Sequence, residues 1–157
     1  MPETLRQAAV IPVRDGRVCL VTSSSGKRWV VPKGQIDDGF TAGEAALLEA
    51  WEEAGLLGVL TPEPVGTYHY EKDGRPILVT VFVLSVSDAK DVWPERFLRR
   101  REWVDPESAM ERIEEDGLRA IVRRHFAAPP GLATAVAVSA VTPPPRTDDG
   151  VRMSKGS

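Results

Sequence analysis

Residues 32–56 decide the fold: Pro32-Lys33-Gly34-Gln35-Ile36-Asp37-Asp38-Gly39 lead, through Phe40, into Gly43-Glu44-Ala45-Ala46-Leu47-Leu48-Glu49-Ala50-Trp51-Glu52-Glu53-Ala54-Gly55-Leu56. From Gly43 to Ala54 there is no proline and no internal glycine, alanine and leucine are plentiful, and Gly55 stands where a helix stop belongs, so a helix is predicted. At about 100° per residue, Glu49, Glu52 and Glu53 fall within one third of the circumference. Leu47, Trp51 and Ala54 then form the opposite, core-facing stripe. Like charges at this spacing disfavour an isolated helix. A hard divalent cation, Mg²⁺ or Mn²⁺, is one explanation for three such carboxylates, because it takes oxygen ligands; a solvated acidic face is the other.

Outward from this helix, the segments alternate. Gln7 to Val13 and Val18 to Val21 flank Asp15-Gly16, and Val65 to Glu71 and Ile77 to Val86 flank Asp73-Gly74; both read as β-hairpins. Trp29 to Val31 reads as a short strand closed by Pro32, and Arg101 to Val104 as another. Asp105-Pro106 has the form of an N-cap followed by proline at the first helical position, opening a helix to about Ile113, with a second helical piece over Gly117 to Phe126. Strands, a helix, more strands and terminal helices make a mixed α/β domain. Beyond Ala127, Pro129-Pro130-Gly131 and Pro143-Pro144-Pro145 bracket small residues, so 128–157 is expected to be a Pro/Gly/Ala-rich mobile tail.

The stretch from Gly34 to Leu56 resembles the signature of the Nudix hydrolases, G-x5-E-x7-R-E-U-x-E-E-x-G-U, with U a bulky aliphatic. Gly34, Glu49, Glu52, Glu53, Gly55 and Leu56 match at the family's spacing. The resemblance extends to the surrounding strands and terminal helix, and implies a Nudix domain over residues 1–127, with a mixed β-sheet sandwiched between α-helices. It further implies metal-dependent hydrolysis of a diphosphate linkage in a nucleoside-diphosphate-type or polyphosphate substrate. On that reading the backbone carbonyl of Gly34 and the carboxylates of Glu49, Glu52 and Glu53 hold Mg²⁺ or Mn²⁺, and Glu49 and Glu52 are the catalytic residues. The base that takes the proton from water stays open between these two and downstream acids such as Glu71 and Glu102. Two positions depart from the pattern: Phe40 replaces the first glutamate and Leu48 the arginine, which in the family orients the carboxylates. Ala50 is also smaller than the usual aliphatic.

Trp29 to Gly34, the serines at 23–25 and Arg100-Arg101-Glu102-Trp103-Val104 resemble the branch that hydrolyses diadenosine polyphosphates and diphosphoinositol polyphosphates. Such anionic substrates call for basic contacts, for which Arg28, Lys33, Arg75 and Arg101 are the candidates, and Tyr70 for stacking on a base. Alternation along the strand sends Tyr68 and Tyr70 to one face. A nucleoside triphosphate or ADP-ribose hydrolase, or a degenerate module that binds without hydrolysing, are the alternatives.

The balance of 20 basic against 23 acidic side chains, a net charge of −3, speaks against a polyanion binder, so no nucleic-acid partner is expected. Cys19 is the single cysteine, which excludes an intramolecular disulfide and a thiolate zinc cluster. Ser25-Gly26-Lys27 lacks the leading glycine of a phosphate-binding loop. His69 and His125 are far apart in sequence and offer little for a triad. Met1-Pro2-Glu3-Thr4 begins no secretory signal and no apolar run reaches the length of a membrane span, so a cytoplasmic location without membrane contact is expected. The oligomeric state is left open.

Overall fold

Asp15 and Gly16 both take positive φ, 53° and 76°, and Asp73 and Gly74 repeat the pair at 53° and 76°. This is the backbone twist that two-residue hairpins require. The first turn joins β1 (Leu5–Arg14) to β2 (Arg17–Thr22), and the second joins β6 (Gly66–Lys72) to β7 (Arg75–Ala89). The computed structural model describes residues 3–127, so the tail expected at 128–157 lies outside the described residues. Residues as far as Arg123 belong to one compact unit.

β1 is the hub. It runs parallel to β7 from Leu5 opposite Ile77 to Val13 opposite Ser85, and antiparallel to β2 and to β4 (Lys33–Gln35). β3 (Trp29–Val30) and β8 (Arg101–Val104) pair with β2, while β5 (Leu56–Leu60) and β6 pair with β7, completing a mixed sheet of eight strands. Ala8, Ala9, Val10 and Ile11 are consecutive and fully buried, as expected where both faces of a strand are covered. Ala8 and Val10 join the cluster under the first helix, α1 (Ala42–Ala54), together with Cys19, Val21, Phe82 and Leu84. Alternation turns Ala9 and Ile11 to the other face. The remaining helices are α2 (Pro106–Arg112), which packs on β2 behind the Asp105 N-cap, and α3 (Asp116–Ala127), where Gly117 lies against Tyr68. Among the described residues no helix is long and apolar enough to cross a membrane.

Three features differ from the sequence expectation. β4 and β5 are strands where none was expected: β4 sits inside the motif lead, and β5 carries Gly58, where its register against β7 shifts. The facing of α1 is also corrected. Its buried residues are Ala45, Ala46, Ala50, Glu53 and Ala54, whereas Leu47 is 42% exposed and Trp51 only half-buried. The helix lies on the sheet through small side chains, which allows a close approach and leaves the large ones at its margin. Its start was also more strongly specified than expected: the Thr41 side chain accepts from the Glu44 N–H at 3.1 Å, and Glu44 accepts from the Thr41 N–H at 2.9 Å. This reciprocal cap satisfies two orphan donors and explains Glu44, which faces away from the other glutamates.

Gly55 ends α1 with φ 68°, in the left-handed region, and a Cβ there would stand 2.9 Å from the Trp93 side chain. Gly55→Ala is therefore expected to cost about 1–3 kcal/mol of stability, read as a lower urea midpoint with an unchanged slope. An unchanged midpoint would contradict this account of the helix end.

Candidate active site

The alanine face brings the helix glutamates onto β4. A Cβ on Gly34 would collide with the carboxyl of Glu49, so a side chain at 34 would push that carboxyl from its place against the strand. One helical turn on, Glu53 is 7% exposed, and its Oε1 accepts from the Lys33 N–H at 3.3 Å. Glu52 is half-buried on the same side. Glu49 and Glu53 therefore meet the strand that carries Lys33 and Gly34, with the charge of Glu52 close to Glu49.

This crowding has an electrostatic cost. Burial, followed by the charge of Glu52, holds the Glu49 carboxyl above the ordinary carboxylate range, and a hydrogen bond shared with Glu53 opposes the rise. Burial pushes Glu53 up to about 8 against the opposing pull of Arg99, with the charges of Glu49 and Glu95 adding to the rise. A buried carboxyl and a half-buried one within hydrogen-bond reach of each other need a shared proton or a nearby positive charge. The donor set is all oxygen, which suits Mg²⁺ or Mn²⁺. It is not a preassembled cage: among the described residues no three Asp, Glu, His or Cys side chains form a group that could hold a metal ion. The oxygens that Glu53 would offer are held by Lys33 and Arg99.

Two residues that the sequence reading missed complete the cluster. The segment after β7 docks on the C-terminal end of α1: Lys90 N–H donates to Gly55 O at 2.9 Å, Trp93 Nε1 to Glu53 O at 3.0 Å and Glu95 N–H to Glu52 O at 3.0 Å. It thereby delivers Glu95 and Arg99. Arg99 Nη2 lies 3.3 Å from Glu53 Oε2 and Arg99 Nε 2.9 Å from Glu95 Oε1. The Arg99-Arg100-Arg101 run was visible in sequence, but only the path of the loop shows which carboxylates it meets.

The expected substrate contacts are dispersed. Lys33 Nζ lies 5.4 Å from the centre of the Tyr70 ring, and burial lowers its pKa despite the charges of Glu115 and Glu53. Tyr70 donates to Gln7 Oε1 at 3.0 Å and stacks beside Tyr68, as the strand alternation predicted. Arg28 pairs with Glu114 and Glu115 at 3.4 Å, and Arg75 opens β7 at the hairpin. Arg101 Nη1 donates to Ala54 O at 2.6 Å and its guanidinium covers the Trp93 ring at 4.3 Å, at the end of α1. Of the downstream acids, Glu102 is exposed and paired with Arg112 at 3.0 Å, and Glu71 lies on exposed β6; Glu95 is the acid beside the cluster. Phe40 is 45% exposed and Leu48 half-buried.

Because the Gly34 backbone and the Glu49 carboxyl occupy adjoining space, Gly34→Ala is expected to displace Glu49. A Mn²⁺ titration followed by electron paramagnetic resonance should then show weaker binding than for the unaltered protein, with the fold retained by circular dichroism. Equal binding would remove the carboxyl of Glu49 from the site.

Comparison with known proteins identifies the family and the fold. The NUDIX domain model matches residues 4–125. Curated relatives include Nudix hydrolase 4 of Arabidopsis thaliana, 37% identical over 97 residues (60% of this chain and 46% of that protein). Human diphosphoinositol polyphosphate phosphohydrolase 3-beta is 34% identical over 104 residues, covering 64% of this chain and 62% of that one. The chain spans about half the length of the Arabidopsis relatives it matches. Among solved structures, a Caenorhabditis elegans Ap4A hydrolase in a binary complex superposes with a TM-score of 0.63 at 23% identity, covering 79% of this chain and 96% of that chain. A NUDIX hydrolase from Nitrosomonas europaea gives 0.67 at 18% identity, covering 80% and 90%. With most of its length matched by the domain model, on the expected mixed sheet and with Glu49 against Gly34, the chain belongs to the Nudix family.

Proposed function

We propose that this protein hydrolyses a diphosphate linkage in a polyphosphorylated small molecule, with diadenosine polyphosphates or diphosphoinositol polyphosphates as the favoured class. The observation that carries the reading is the approach of the Glu49 carboxyl to Gly34 and the bond from the Lys33 N–H to Glu53, which seat two of the helix glutamates on β4. Kinship with a diphosphoinositol polyphosphate phosphohydrolase supports the substrate class.

In this mechanism Glu49, Glu52, Glu53 and the Gly34 carbonyl would hold Mg²⁺ or Mn²⁺. When bound, such a cation neutralises diphosphate oxygens and acidifies the attacking water. The protein's own part is to remove a proton and to place the substrate. Glu49 or Glu52 takes the water proton as the new P–O bond forms and the bridging P–O bond breaks. Lys33, Arg28 and Arg75 attract the phosphates, and Tyr70 offers an aromatic face beside Lys33. A cytoplasmic location and a small-molecule partner complete the proposal.

A second reading has its own support. Phe40 and Leu48 remove two charged positions of the family signature, which favours a module that binds polyphosphate without cleaving it. Incubation with diadenosine polyphosphates, diphosphoinositol polyphosphate, ADP-ribose and nucleoside triphosphates in Mg²⁺ and Mn²⁺ separates the two. Phosphate release from one of the first two classes supports the proposal; release from ADP-ribose or a triphosphate alone moves the substrate class. Binding with no release anywhere establishes the second reading. Glu52→Gln is expected to lower kcat by about 10²- to 10⁴-fold while the thermal midpoint is kept. Undiminished turnover would remove Glu52 from the chemistry.

A further inference from the structure

The sequence of α1 contains four glutamates and no basic residue, and Leu48 stands one helical turn before Glu52, where a cation would pair with it. The helix therefore cannot neutralise its own carboxylates. The positive charge arrives from elsewhere in the chain. The segment 90–99 is fastened to the end of α1 by backbone bonds from Lys90 and Glu95 and by the Trp93 indole, and it ends on Arg99.

Every nitrogen of the Arg99 fork has a partner. Nη2 meets Glu53 Oε2 at 3.3 Å, Nε meets Glu95 Oε1 at 2.9 Å, and Nη1 donates to the carbonyl of Thr22 at the end of β2 at 2.9 Å. The side chain is only 12% exposed, and that of Glu53 10%. A planar guanidinium held at three corners is a fixed object, unlike a lysine ammonium on a flexible stem. It fixes in turn the carboxylate it touches, and the Lys33 N–H fixes the other oxygen of that carboxylate.

We propose that Arg99 is the positioning residue of the carboxylate cluster, supplying from the 90–99 segment the charge that α1 lacks and setting the orientation in which Glu53 is presented to a divalent cation. This rests on the functional reading above. Arg99 acts through Glu53 and is not required to touch the substrate. Groups that hold ligating carboxylates in place commonly account for 10- to 100-fold of metal affinity.

The test compares the unaltered protein with Arg99→Lys and Arg99→Leu, using Mn²⁺ binding to the substrate-free protein by electron paramagnetic resonance, steady-state kinetics on diadenosine tetraphosphate, and urea unfolding. Failure of the unaltered protein both to bind Mn²⁺ and to release phosphate would sink the functional reading itself. With that activity present, Arg99→Leu is expected to weaken Mn²⁺ binding about 10- to 100-fold and to lower kcat, with KM for the substrate unchanged. Arg99→Lys is expected to lie between, because a point charge keeps one carboxylate and loses the fork. Unchanged or tighter Mn²⁺ binding in Arg99→Leu, or a raised KM with kcat intact, would overturn the proposal; the second pattern would make Arg99 a substrate contact. If Arg99→Leu does not fold, Arg99→Lys decides: native stability with weakened Mn²⁺ binding supports positioning, and native binding overturns it.

Discussion

The contact between the alanine face of α1 and the sheet is the constraint from which the site follows. Ala45, Ala46, Ala50 and Ala54 allow the helix to lie close over β1 and β4, with Ala8 and Val10 beneath it. Larger side chains on that face would hold the helix further off. At this separation Glu49 and Glu53 reach the neighbouring strand, and the Glu49 carboxyl takes the space left by the missing side chain at position 34. Burial of the carboxyls is thus a by-product of helix packing, and it makes them avid for positive charge.

The polarity of the helix sharpens that demand. Glu52 and Glu53 lie in the last turn of α1, where the helix dipole already places partial negative charge and where no basic residue stands. The protein answers with one continuous stretch of chain. Lys90, Trp93, Glu95 and Arg101 occupy carbonyls of the last turn and its cap, while Arg99 lies between Glu53 and Glu95. Trp93 links the two tasks, since its ring packs on Gly55 and under Arg101 while its indole nitrogen holds the Glu53 carbonyl. The end of the helix and the charge of the site are one structural problem with one solution.

Local signals made much of this legible. Asp-Gly pairs located both hairpins, the Gly55 stop and the absence of breakers located α1, and Asp105-Pro106 located α2, because each is decided by a few adjacent residues. Spacing alone left Glu49, Glu52 and Glu53 open between a cation site and a solvated acidic face, and only the resemblance of the whole stretch joined them to Gly34 as a candidate set. The facing of α1 was not, because the expectation that the largest apolar side chains turn inward fails where the helix must approach closely; Leu47 and Trp51 yielded to alanines. β4 and β5 were missed because short strands beside glycine depend on their partners in β1 and β7 more than on their own residues. Glu95 and Arg99 were beyond sequence reasoning altogether, since their role depends on where a loop lands across some forty-five residues of chain.

That last point alters the meaning of Leu48. A missing arginine within a local signature looks like a lost function when the helix is considered alone. Within the fold, however, a carboxylate responds to any cation that reaches it, and Arg99 reaches Glu53 from outside the helix. An apolar Leu48, half-buried on the same helix, leaves no unpaired charge behind and no rival cation to compete for those oxygens. The chain's slight excess of acids is therefore no bar to a polyphosphate partner. Glu49, Glu52, Glu53 and Glu95 stand near one another at the end of α1, and Lys33 sits on the strand beside Glu53.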